Sequence, residues 1–273
     1  MAVNVEYLNN ALPLITGTED HFSYVVSEEE TYEGDDVVRE GKSSNWLCIV
    51  LEGYADIMRE TPRGRLRIAR LGPGAIVGSI ISLFRVKSHR SATLIAQAGL
   101  VLGTLNIERI HTEFLRISPE LLKVALCLDK RLKEVTQRVV ETHTGELDPA
   151  GFTRDRGVLV KQGAPEAALS LITEGTATLV SARKQGPVPL ALLEKDDFIG
   201  PLPFLDLGQE PAAASVFASA DCKTTPLDPA LLQAGFRQSP AMVRAFMEHV
   251  AVCARATGAL AGDPDRIAAA QKA

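Results

Sequence analysis

The sequence repeats one pattern twice, at a constant offset of 122 residues. Glycines recur at matching places in the two copies, together with the acidic and apolar residues beside them. Glycines carry most weight in such a comparison, because they mark backbone conformations that other residues rarely adopt. The chain is therefore predicted to build one kind of domain twice. The matched pairs are Val38 and Val160, Gly41 and Gly163, Glu52 and Glu174, Gly53 and Gly175, Gly64 and Gly186, Ala69 and Ala191, Leu71 and Leu193, and Gly78 and Gly200.

Each copy begins with short segments rich in Val, Ile and Leu. In copy one they read "WLCIVLEGYADIMRE", "RLRIARLGPGAIVG" and "ATLIAQAGLVLGTLN", with Gly, Pro or charged residues between them. Short strands separated by turns at this spacing are typical of an all-β sandwich or barrel. The pattern therefore predicts a mainly β fold with helices added.

A long helix is predicted after the strands of each copy. In copy one Ser118 is its expected N-cap and Pro119 its first residue. Two interpretations stay open: each helix packs on its own β-domain, or the two helices pack together, within one chain as a pseudo-dimer or across a homodimer. The apolar stripes that predict the helices are Leu121, Ala125, Leu128, Leu132, Val135 and Val139 in copy one, and Met242, Phe246, His249, Cys253, Ala256 and Leu260 in copy two.

These patterns divide the chain into a first domain at 1–141 and a second at 154–262. The segment 142–153 is polar and contains Gly and Pro, as linkers do. The tail at 263–273 shows no packing pattern beyond a short Ala-rich helix, so we expect it to be frayed.

Composition and charge exclude several classes of protein. The net charge of −5 argues against DNA as a partner, because DNA affinity depends on clustered Lys and Arg. The four cysteines are widely separated, the start of the chain does not read as a signal peptide, and no apolar run is long enough for a membrane. We expect a soluble cytoplasmic protein that binds neither DNA nor membranes.

No catalytic or metal-binding motif is present. The five histidines are isolated, so they predict no metal ligands, and neither a nucleophile elbow nor a P-loop occurs. We therefore expect a protein that is not an enzyme, with no catalytic residues, no metal and no cofactor.

Four segments, "YEGDDVVREG", "LCIVLEGYADI", "IARLGPGAIVG" and "HRSATLIA", carry a family likeness. Their order, followed by a long helix, resembles the cyclic nucleotide-binding domain of bacterial catabolite activators and protein kinase regulatory subunits. The likeness covers most of residues 30–140 and, more weakly, 152–260. It implies two tandem β jelly rolls (double-stranded β-helices), each followed by a long C-terminal helix.

The resemblance also implies a phosphate-binding cassette between two strands of copy one. In the family an arginine and backbone N–H groups at the start of a short helix contact the cyclic phosphate, and a glutamate accepts from the ribose. Ser79 stands where the glutamate is expected, which weakens the ribose half of the site. Arg90 also has a second interpretation, as a solvated surface cation. The implied ligand-binding residues are Gly78, Ser79, Ile80, Arg90, Ser91, Ala92 and Thr93.

Copy two departs further from the family pattern. The 122-residue shift places Pro201 on Ser79 and Ala212 on Arg90. Proline offers no N–H to a phosphate and alanine carries no charge, so this pocket is predicted to be degenerate.

Two functions remain open. The first is a non-enzymatic regulatory protein in signalling that binds a nucleotide, such as cAMP, cGMP or a cyclic dinucleotide, in copy one only and acts on a protein partner. The alternative is a scaffold or protein-interaction module with both pockets vestigial. A pocket filled by Phe84 would favour the scaffold, and Arg90 facing an open pocket would favour the sensor.

Overall fold

A computed structural model describes residues 3–43, 46–84, 89–164, 168–184, 186–205, 207–208 and 213–273. Across these ranges the chain forms two β-rolls, each closed by helices, and it contains no helix long and apolar enough to cross a membrane.

In its described residues, copy one has ten strands, two 3-10 helices and two α-helices. The strands form two sheets, in the orders β1-β2-β7-β6-β9-β4 and β3-β10-β5-β8. The 3-10 helices are Glu19–Tyr24 and Ile80–Leu83. The other elements are β1 Asn4–Leu8, β2 Leu12–Thr16, β3 Val25–Glu30, β4 Asp36–Val38, β5 Cys48–Glu52, β6 Ala55–Thr61, β7 Gly64–Leu71, β8 Ile76–Val77, β9 Thr93–Ala96, β10 Val101–Leu105, α1 Ile107–Phe114 and α2 Pro119–Thr144.

The described residues of copy two repeat this plan without counterparts of the first strands. Its described strands form sheets in the orders β11-β16-β13-β14 and β15-β12-β17. The elements are α3 Pro149–Thr153, β11 Gly157–Val160, β12 Ser170–Glu174, β13 Ala177–Arg183, β14 Gly186–Leu193, β15 Phe198–Ile199, β16 Ser215–Ala218, β17 Lys223–Pro226, α4 Pro229–Gln238, α5 Ala241–Gly258 and α6 Pro264–Ala270.

The duplication is visible down to a β-bulge. The β6–β7 pairing shifts register between Ile57 and Met58, and the β13–β14 pairing shifts between Leu179 and Val180, 122 residues later. Gly53 and Gly175 both adopt φ +72°. Two tandem β-rolls with C-terminal helices are therefore confirmed.

The N-terminal hairpin was not predicted from the sequence. Strands β1 and β2 pair antiparallel, and β2 adds to the sheet of copy one by a short parallel pairing with β7. Parallel neighbours far apart in the chain leave no local signal, which is why the repeat pattern did not reveal this pairing.

Helix α2 begins as its sequence predicts. The Ser118 hydroxyl accepts a hydrogen bond from the Leu121 N–H at 3.2 Å, and Pro119 follows at the first position. Helices α2 and α5 pack against each other, which confirms the interpretation of a helix pair within one chain. A homodimer through these helices stays a prediction.

The segments predicted as linker and tail are more ordered than expected. Helix α2 runs on to Thr144, and α3 follows because the Asp148 carboxylate accepts from the Gly151 N–H at 3.2 Å. The expectation of a frayed tail is wrong. Helix α6 buries Ile267 and Ala270, and the Gln271 side chain bonds to copy one. The domain boundaries themselves stay predictions.

Replacing Gln271 by Ala tests the docking of the tail. The side chain accepts from the Arg67 N–H at 2.8 Å and donates to the Arg67 carbonyl at 3.1 Å. Losing both bonds is expected to lower the free energy of unfolding by about 1 to 2 kcal/mol in urea denaturation. Lys272→Ala, at the exposed neighbouring position, is the control and is expected to change it by less than about 0.5 kcal/mol. Equal stability of the two variants would contradict the docking.

Candidate ligand-binding site

A cavity of about 310 Å³ lies in copy one, between the β-roll, the cassette and two helices. One wall is apolar and comes from the strands, chiefly Ile57, Ala69 and Leu71. The cassette, defined here as the described residues in 78–84 and 89–93, forms the polar wall. The cassette residues that line the cavity are Gly78, Ser79, Ile81, Ser82, His89, Arg90, Ser91 and Ala92.

Gly78 fixes the turn that opens the cassette. Its φ is +151°, and a Cβ atom there would lie 2.1 Å from Cδ2 of the buried Leu47. Only glycine fits this conformation and this close approach. The turn leads into Ser79 and the 3-10 helix Ile80–Leu83, whose first N–H groups face an acceptor on helix α2.

That acceptor is the carboxylate of Asp129. The Ser79 hydroxyl donates to its Oδ2 at 2.5 Å and the Ile80 N–H donates to its Oδ1 at 3.0 Å. Asp129 itself lines the cavity. Burial raises the pKa of Asp129, while the hydrogen bonds from Ser79 and Ile80 oppose that rise. A carboxylate of the chain thus occupies the donors at the start of the cassette helix.

Arg90 lines the cavity from the other end of the cassette. Its guanidinium stacks over the Trp46 ring, 4.7 Å from Cζ to the ring centroid, and donates to the Trp46 carbonyl. Burial lowers the pKa of Arg90. The interpretation of Arg90 as a solvated surface cation is therefore wrong, because the side chain is half-buried against the tryptophan.

The structure brings together most of the residues predicted for the site. Gly78, Ser79, Arg90, Ser91 and Ala92 line the cavity. The other two predicted residues, Ile80 and Thr93, are not among the residues that line it. Ile80 contributes its backbone N–H while its side chain is in the core, and the Thr93 hydroxyl accepts from the Glu40 N–H at 3.1 Å. That the lining residues bind a ligand stays a prediction.

Helix α5 of copy two also lines the cavity of copy one, through His249, Val250, Cys253 and Thr257. His249 Nε2 lies 3.4 Å from Cys253 Sγ, and burial lowers the pKa of His249 to about 4. The sequence indicated His249 and Cys253 only as members of a packing stripe. That they face a cavity of the other copy had no signal in either copy alone.

Phe84 does not fill the cavity. Its ring packs edge-on against His111 at 5.2 Å and Phe114 at 6.3 Å between centroids, away from the lining residues. Of the two outcomes distinguished above, an open cavity lined by Arg90 is the one present.

The corresponding region of copy two is built differently. Gly200 keeps a positive φ of +112°, but Pro201 is exposed and the buried side chains of Leu202, Leu205 and Leu207 follow it. Ala212 lies outside the described residues, as does 85–88 in copy one. Beside this region the Arg131 guanidinium stacks over Phe198 at 3.9 Å and donates to the Phe198 carbonyl.

A metal site in the described part of the chain would need a set of ligands that lie close together. No three His, Cys, Asp or Glu side chains of those residues lie close enough together to hold an ion.

The cyclic nucleotide-binding domain family model matches residues 28–115 and 154–238 of this chain. The two matches cover more than half of the sequence, so the chain belongs to the cyclic nucleotide-binding domain family, with two tandem copies of the domain. A comparison with curated protein sequences finds no match.

Several solved structures are similar. A cyclic nucleotide-binding-like protein from Brucella abortus is 26% identical over 32% of this chain and 75% of its own, with a TM-score of 0.29. The N-terminal domain of a transcriptional regulator from Streptomyces coelicolor is 30% identical over 32% of this chain and 59% of its own, with a TM-score of 0.28. The regulatory domain of Toxoplasma gondii PKA, solved with cAMP, is 20% identical over 83% of this chain and 87% of its own, with a TM-score of 0.30.

Burial of His249 predicts a pH dependence of stability. Its pKa is about 4 in the folded chain against 6.5 for an ordinary histidine, so between these values the unfolded chain binds the extra proton. The free energy of unfolding is therefore expected to rise from pH 4 to pH 6.5, by up to about 3 kcal/mol from this residue. Denaturant titrations of wild type and His249→Gln across this range measure it. The variant should show a shallower rise, and an identical slope would contradict the assignment.

Proposed function

We propose that this protein is a non-enzymatic regulatory sensor in which copy one binds a cyclic nucleotide. The observation that carries the proposal is the open cavity of about 310 Å³, with Gly78, Arg90 and Ala92 at the family's phosphate-binding positions. Cavities that hold small ligands measure about 300 to 1,000 Å³. The cavity is at the lower end of this range, which favours a mononucleotide such as cAMP or cGMP over a cyclic dinucleotide.

Arg90 is the residue that we propose for the phosphate contact. A guanidinium carries five N–H donors, so Arg90 can bind a phosphate oxygen and keep its bond to the Trp46 carbonyl. Hydrogen bonds to charged groups contribute about 1.5 to 3 kcal/mol each. The phosphate contact therefore accounts for a large share of the expected affinity.

The ribose end of the ligand has weaker partners. Ser79 replaces the family's glutamate, so a neutral hydroxyl stands in place of a carboxylate acceptor. Other hydroxyls lining the cavity belong to Ser82, Ser91, Thr136 and Thr257. Losing one charge-assisted bond lowers affinity about tenfold to a hundredfold, so we expect binding weaker than in family members that carry the glutamate.

Helix α2 is the element through which binding would act on a partner. Asp129, Leu132, Lys133 and Thr136 on one face of this helix line the cavity, and another face packs on α5. A ligand that prefers one position of α2 shifts the helix toward that position. We propose that this shift changes the surface offered to a protein partner.

Copy two is proposed to bind no nucleotide and to serve as part of the wall around the first cavity. Pro201 removes a backbone donor at the start of its cassette, and the buried leucines that follow it are apolar. We therefore expect one bound nucleotide per chain.

The alternative, a scaffold with both pockets vestigial, is favoured by a different observation. The cassette donors and Arg90 already have partners within the chain, in Asp129 and Trp46. A site whose donors are satisfied without a ligand can persist after binding is lost.

Thermal unfolding with cAMP, cGMP and cyclic dinucleotides tests the proposal. A ligand at about a hundred times its Kd stabilises the folded state by about 2.7 kcal/mol, which raises the melting temperature by about 5 °C or more. The rise is expected in wild type and lost in Arg90→Ala. Arg116→Ala, which removes an exposed arginine, is the control and should behave as wild type. If no ligand raises the melting temperature of wild type, the scaffold alternative is supported.

A further inference from the structure

We propose that the Asp129 carboxylate is an internal anion of the phosphate cassette, which competes with a bound phosphate for the hydrogen-bond donors of Ser79 and Ile80. The inference deepens the proposed function and rests on it for the identity of the ligand. The inference depends on the hydrogen bonds from Ser79 and Ile80 to Asp129, and it does not depend on which nucleotide binds.

The carboxylate uses the donors that a phosphate needs. The Ser79 hydroxyl and the Ile80 N–H each have one hydrogen to give, and both go to Asp129, at 2.5 and 3.0 Å. A phosphate oxygen, like a carboxylate oxygen, is an acceptor and would need the same N–H and O–H donors. A phosphate and Asp129 therefore cannot hold them at the same time.

The negative charge of Asp129 adds to this competition for the donors. Asp129 lines the cavity, so an anion that entered beside it would meet a negative charge in a half-buried place. Arg90 stacks over the Trp46 ring and donates to the Trp46 carbonyl. The Asp129 carboxylate thus opposes an entering anion, while the positive charge of Lys133, which also lines the cavity, attracts both the carboxylate and an anion.

Release of Asp129 has a consequence for copy two. The next residue, Lys130, pairs with Asp197 at 2.6 Å and Glu194 at 3.2 Å, at the start of β15. One turn further along α2, the exposed Lys133 lines the cavity and can pair with an entering phosphate. Exchange of Asp129 for a ligand would therefore change the contacts of the same turn of helix that is anchored to the second copy.

Substitution of Asp129 separates this inference from the proposed function. Asp129→Asn keeps the shape and loses the charge, and Asp129→Ala removes the group. Glu120→Gln removes a negative charge from an exposed position of the same helix and is the matched control. Binding of cAMP is measured by calorimetry on the full chain, and thermal unfolding is measured with inorganic phosphate as a second probe.

We expect both Asp129 variants to bind cAMP about tenfold to a hundredfold more tightly than wild type, and Glu120→Gln to match wild type. Equal cAMP affinity in all four proteins would overturn the inference and leave the proposed function standing.

Thermal unfolding with inorganic phosphate tests the inference if none of the four proteins binds cAMP. If phosphate then raises the melting temperature of the Asp129 variants but not of wild type, the inference stands and the nucleotide proposal fails. If phosphate affects all four proteins alike, Asp129 is not an internal anion.

Discussion

One turn of helix α2 ties the two copies of the domain together through three consecutive charged residues. Asp129 accepts from the cassette of copy one, Lys130 pairs with Asp197 of copy two, and Arg131 donates to the Phe198 carbonyl. Successive residues of an α-helix point about 100° apart, so neighbours in sequence can face different partners. Arg131 is only 1% exposed, and breaking the contacts of a buried charge is costly. The position of α2 is thus set by both copies at once.

This constraint gives the second copy a structural role that does not depend on binding a nucleotide. Its strands, its β-bulge and its turn glycines repeat those of copy one, while Pro201 and buried leucines have replaced the polar start of its cassette. A fold and the site on it depend on different residues, so one can persist when the other changes. Through α5 and the anchors of α2, copy two forms part of the wall of the cavity of copy one and packs against α2.

The sequence predicts what is encoded locally and misses what is not. Turn glycines, strand patterns and the Ser118 cap are local signals, and they predict the two rolls and helix α2 correctly. Gly78 and Arg90 are visible because they fall in a recognisable motif. Asp129 meets Ser79 across 50 residues, and Gln271 meets Arg67 across 204, so no local pattern reveals either pairing. A lone aspartate beside an apolar helix stripe is usually solvated, and only the fold shows that this one is not.

A crystal structure determined with cAMP is the most direct test of this account. We predict a phosphate oxygen within hydrogen-bond distance of the Ile80 N–H and of the Arg90 guanidinium, with the Asp129 carboxylate displaced from Ser79. A nucleotide bound while Asp129 keeps both of its hydrogen bonds would contradict it.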